Sequence, residues 1–150
     1  MGWIILAVFA ALALWLLATY NTLVALRQRV RQSGADIDVQ LRQRLDLIPN
    51  LVETVKGYAA HERGVFDAVT QARASALGAP AGPARAAAEA RLDASIGRLF
   101  AVAEAYPELK ANETFAELQA QLADVESRVA AARRFRNAAA AEFNAAIESL

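Results

Sequence analysis

WIILAVFAALALWLLATY, residues Trp3 to Tyr20, decides how the rest of the chain is read. These eighteen residues carry no charge, and the first charged side chain in the sequence is Arg27. At 1.5 Å rise per residue a helix of that length spans roughly 27 Å, close to the ~30 Å hydrocarbon core of a bilayer. Nine of the eighteen are Leu, Ile, Val or Phe. At about −0.3 to −0.6 kcal/mol each, they favour insertion by roughly 3–5 kcal/mol. Trp3 and Tyr20 stand at the two ends, where amphipathic aromatics prefer the interface. A buried core helix does not need an apolar residue on every face, and this segment has one. A cleaved signal peptide ordinarily has a basic start and a shorter apolar run, and its cleavage site lies beyond that run. Here the start is Met1-Gly2, and Ala11-Leu12-Ala13 lies inside the run. The segment reads as a permanent membrane anchor over residues 1–26, contacting lipid through residues 3–20.

Outward from the anchor, Arg27, Arg29 and Arg31 crowd one flank, and the other has no Lys or Arg. The positive-inside rule then places the N-terminus outside and the rest of the chain in the cytoplasm. Among all 150 residues, sixteen basic side chains balance sixteen acidic ones. A nucleic-acid binder shows a basic excess and a basic stripe, so nucleic acid is not an expected partner. Cysteine is absent, which removes disulfides, thiolate catalysis and Cys-ligated metal sites.

Residues 27–150 read as one helical domain. Val30, Ile37, Leu41 and Leu45 keep one face apolar. Ser33-Gly34 marks a weak point where the helix bends readily. Pro49 predicts a turn near Asp46–Asn50, with the proline in the first turn of a second helix. That helix carries Ile48, Leu51, Val52, Val55, Tyr58, Ala59, Val65, Phe66, Val69, Ala72 and Ala76 at three-four spacing. Gly78-Ala79-Pro80-Ala81-Gly82-Pro83 ends it. A third helix is expected over about Ala84–Ala105, closed by Tyr106-Pro107. Asn112 suits the cap of a fourth, with Glu113 in its first turn. Phe115, Leu118, Leu122, Val125, Val129 and Ala132 give that helix a heptad rhythm, resumed at Ala139, Phe143, Ala146 and Leu150. Arg136 falls on the stripe and either reaches water or faces a carboxylate. The expected fold is all-α: a transmembrane helix followed by an antiparallel, four-helix, coiled-coil-like bundle.

Catalytic constellations are missing from the sequence. His61 is the single histidine, and a zincin helix would need a second at position 65, where Val65 stands. No phosphate-binding glycine loop or nucleophile elbow occurs. Asp36 and Asp38 stand two apart on different faces of a helix. Catalytic, cofactor and metal sites are therefore not expected.

The stretch ADIDVQLRQRLDLIPNLVETVKGYAAHE, residues 35–62, closely resembles the LemA family. Further matches are Tyr20-Asn21-Thr22-Leu23-Val24, AEAYPELKANETFAELQAQL (103–122) and AARRFRNAAAAEFN (131–144). The resemblance covers about Thr19 to Ile147. It implies an N-terminal anchor and a long-helix bundle at the bacterial inner membrane, with the bundle inside. It implies no established activity. Some relatives occur beside membrane metalloproteases and others in magnetosome formation. The implied partners are therefore envelope proteins, such as a membrane protease, or further copies of the chain. This sequence departs from its relatives at three positions. Gly34 stands for a frequent tryptophan, Leu45 for a histidine and Arg136 for a tyrosine.

Within Asp46–Glu62, the residues Asp46, Pro49, Asn50, Lys56, Tyr58, His61 and Glu62 form the candidate interaction or structural motif. A structural reading gives Asp46 and Asn50 to a turn and Tyr58 to the core. A functional reading makes Lys56, His61 and Glu62 a partner surface. The expected role is a membrane-anchored scaffold or adaptor acting through protein contacts. The alternatives are a membrane-surface enzyme and a lipid- or stress-sensing module.

Overall fold

A computed structural model describes residues 1–149, so the expected apolar position at Leu150 lies outside the described residues. Among them the fold is all-α. Helix α1 spans Gly2–Lys56, α2 Arg63–Gly78, α3 Pro83–Glu104, α4 Pro107–Lys110 and α5 Glu113–Glu148.

The expected turn at Asp46–Asn50 does not form. Helix α1 continues through Pro49 for 55 residues in all, and the break falls at residues 57–62. A proline inside a helix removes the bond to the carbonyl four residues back and crowds that turn, at a cost of about 3 kcal/mol. Here the affected carbonyl is that of Leu45, and Arg73 Nε donates to it at 2.7 Å. The second helix accordingly starts at Arg63, not near Ile48. Ser33-Gly34 does not interrupt α1 either; Ser33 Oγ donates to the Val30 carbonyl at 2.8 Å within the helix.

The other ends follow local chemistry. Gly82, with φ of 111°, precedes α3, and Pro83 supplies its first turn, where a missing N–H costs nothing. Asn112 Oδ1 accepts the Phe115 N–H at 2.9 Å, so it caps α5 as its type and position suggest.

The described chain divides into two compact units. One comprises Val39–Arg128. Its core joins Leu45, Ile48, Leu51, Val52, Val55 and Ala59 to Phe66 and Val69 of α2. Leu92, Ile96, Leu99 and Ala103 of α3 complete it, with Leu109, Phe115, Leu118 and Leu122. Arg73 reaches Leu45, while Lys56 Nζ lies 5.8 Å from the Phe66 ring centre, so α1 and α2 are antiparallel. Phe100 and Phe115 meet edge to face at 6.1 Å, and Arg44 bonds both Asp93 and Glu126, so α3 and α5 are antiparallel too.

The other unit pairs Met1–Asp38 with the chain from Val129 onward. Arg29 Nη1 meets Glu142 Oε2 at 3.0 Å. Ser33, Ile37, Val129 and Ala139 are its buried residues. Trp3 to Tyr20 belongs to a helix long and apolar enough to cross a membrane, and none of these residues is buried among the described residues. Arg136 is exposed and reaches water. A Cβ added at Gly34 would lie 4.0 Å from its Nε, so the two departures from the family pattern face one another.

Candidate interaction surface

The residues from Asp46 to Glu62 lie on the last three turns of α1 and the break after it. Asp46 is exposed and pairs weakly with Arg42 at 3.7 Å and Arg73 at 4.0 Å. With Pro49 it forms one device. Pro49 frees the Leu45 carbonyl, Arg73 of α2 bonds it, and Asp46 balances the arginine. Asn50 is exposed, and its carbonyl accepts Thr54 Oγ1 at 2.8 Å. Lys56 Nζ bonds Glu53 at 3.1 Å and lies near the Phe66 ring.

Tyr58 is not a core residue: 38% of it is exposed. Its ring leaves the apolar stripe because α1 has already ended. Its hydroxyl accepts Asn112 Nδ2 at 2.9 Å, fastening the break to the cap of α5. His61 is exposed. Among the described residues no three His, Cys, Asp or Glu side chains converge to hold a metal ion. The Glu62 carbonyl accepts the Val65 and Phe66 N–H groups at 3.1 and 3.4 Å, starting α2. Its side chain makes no cap bond. All of the motif except half-buried Glu62 is exposed; Asp46, Lys56 and Tyr58 nonetheless bond neighbours within the fold.

Three features carry more chemistry. Arg44 is 7% exposed and bonds Asp93 Oδ1 and, at 3.1 Å, Glu126 Oε1. Its Nε and the nearby Gln40 Oε1 are buried without hydrogen-bond partners among the described residues. The carboxylates are half-exposed, so water shares their solvation while the guanidinium stays dry. Second, Arg91 and Arg98 of α3 flank an open groove of about 450 Å³ against α2. Third, Lys56, Arg63 and Asp67 rim a second open hollow, of about 460 Å³, beside Phe66. Arg44 and Arg73 do not belong to any recognisable motif, yet a sequence signal marks both. Arg44 stands three after Leu41 and four before Ile48, and Arg73 four after Val69 and three before Ala76. Both are charges on an apolar stripe.

Residues 33–150 match the LemA family. The chain is 27% identical to a magnetosome protein MamQ of Magnetospirillum gryphiswaldense, over 88% of this chain and 58% of that protein. It is also 27% identical to magnetosome proteins MamQ 1 and MamQ 2 of Paramagnetospirillum magneticum, over 93% of this chain and 61% of each. The chain thus spans about three-fifths of the curated relatives it matches.

Proposed function

This chain belongs to the LemA family, and from that premise we propose that it is a membrane-anchored helical scaffold at the bacterial inner membrane. It holds a folded bundle beside the bilayer and acts through contacts with envelope proteins or with other copies of itself. One observation carries the reading: Trp3–Tyr20 forms a charge-free helical stretch with no residue buried in the protein. In water that apolar surface would be a severe liability; in lipid it is a tether. Arg27, Arg29 and Arg31 favour a cytoplasmic bundle. No catalytic step is part of this role.

Alkaline carbonate extraction followed by crosslinking in intact membranes tests it. The chain should stay in the pellet and crosslink to itself or to a second envelope protein. Release into the supernatant, or a monomer without partners at native level, refutes it. Protease added to spheroplasts should spare the bundle; digestion from outside refutes the orientation.

A further inference from the structure

The groove between α2 and α3 has a floor of small residues and a rim of positive charge. Ala68, Ala72 and Ser75 line it from α2, and Arg91, Ala94 and Arg98 from α3. On each helix these positions lie three, four or seven apart, so they share a face. Small side chains there let another helix approach closely. Both arginines are exposed, and neither has a carboxylate partner among the described residues. They stand seven residues apart, roughly 10.5 Å along the helix.

The complement lies on α5. The core positions of that helix include Phe115, Leu118, Leu122 and Val125. Glu113, Glu117, Ala120 and Asp124 recur on its opposite face and are exposed. Glu117 and Asp124 are also seven residues apart, so their spacing equals that of the arginines. Among the described residues they bond one turn along the same helix: Gln121 Nε2 donates to Glu117 at 3.3 Å, and Arg128 meets Asp124 at 2.7 Å. Such exposed local contacts exchange readily.

We propose that the α2–α3 groove of one copy receives the acidic face of α5 from a second copy, with Arg91 meeting Asp124 and Arg98 meeting Glu117. This names the contact through which the proposed scaffold associates with itself, and it rests on that reading. Axial register supports it. Arg44 holds Asp93 and Glu126 at one level, and α5 runs opposite to α3. In two copies standing side by side in the same orientation, each acid then lies about 6 Å along the axis from its arginine, within reach of a long guanidinium side chain. Groove and ridge are different surfaces, so the contact is head-to-tail and extends into rings or open arrays instead of stopping at a two-fold dimer.

Sedimentation of the full-length protein in detergent tests this with two charge-reversed chains, Arg91→Glu with Arg98→Glu, and Glu117→Arg with Asp124→Arg. The native chain should associate at micromolar concentration, and more weakly as salt rises. Each reversed chain alone should be monomeric while keeping native helicity and melting temperature. An equimolar mixture should associate again, because each groove now meets a face of opposite charge. If charge reversal disturbs folding, Arg91→Gln with Arg98→Gln replaces the first chain and should also be monomeric. Association of the reversed chains at native strength overturns the groove pairing but leaves self-association, and with it the scaffold role, standing. A folded mixture that stays monomeric overturns the pairing, as does a native chain that is monomeric at these concentrations.

Discussion

Arg73 Nε occupies the place of the backbone N–H that Pro49 lacks, donating at 2.7 Å to the Leu45 carbonyl. A helix interrupted chemically is thereby repaired from its neighbour, which ties α1 to α2. The two residues should therefore be coupled. Arg73→Met leaves a part-buried carbonyl unbonded and should lower stability by about 1–3 kcal/mol. Pro49→Ala restores the N–H, so the same Arg73→Met change in that background should cost about 1 kcal/mol less. Urea unfolding of the four chains in detergent measures the cycle. Additive effects would mean that the arginine does not serve the proline's missing bond.

Arg44 makes an asymmetric prediction. It is buried, whereas its partners Asp93 and Glu126 keep about half of their side chains exposed. Removing the cation leaves two acids that water can solvate. Removing both acids leaves a buried cation with nothing to balance it, which costs several kcal/mol. Arg44→Met should thus lower stability by about 1–2 kcal/mol at most, because the methionine also relieves the unbonded Nε. Asp93→Ala with Glu126→Ala should cost clearly more. Thermal melts followed by circular dichroism rank the two, and the reverse ranking would refute this account.

Much of this was legible from periodicity and much was not, for physical reasons. Trp3–Tyr20, the loop after Gly78, the Asn112 cap and the Phe115–Val129 stripe could be read because charge, turn residues and spacing agreed there. The break after Lys56 was hidden. Val52, Val55 and Ala59 are followed seven residues later by Phe66, so the apolar phase runs on across the interruption. The proline seven residues earlier drew attention to the wrong turn, since its remedy lies 24 residues away on Arg73. Within the candidate motif, Tyr58 was read as core because the spacing fits, but its helix had already ended. The groove pair Arg91 and Arg98 looks like any solvated helix face until α2 is placed beside it.

Two glycines should respond oppositely to alanine. Gly82 sits at φ of 111°, with open space around a built Cβ. The penalty of Gly82→Ala is therefore conformational, about 1 kcal/mol or more, set by a backbone that L side chains rarely adopt. Gly97 lies inside α3, also with nothing near a built Cβ. Gly97→Ala should stabilise by about 0.5–1 kcal/mol, since the alanine has less chain entropy to lose in the helix. Melting temperatures that move in the same direction for both would contradict these assignments.

The proposed anchoring rests on a small margin, and the margin can be titrated. Nine strongly apolar residues in Trp3–Tyr20 favour the bilayer by roughly 3–5 kcal/mol. Leu12 lies near the centre of the segment. Leu12→Arg removes about 0.5 kcal/mol of that gain and adds a cost of about 3 kcal/mol, bringing insertion close to balance. A second arginine, Ala10→Arg, drives the sum against insertion. The single variant should divide between pellet and supernatant on carbonate extraction, and the double variant should be found mostly in the supernatant. A lysine at Tyr20, which lies at the edge where a long side chain snorkels to water, should remain in the pellet. Full retention of the double variant would mean that the tether is not held by the apolarity of this helix.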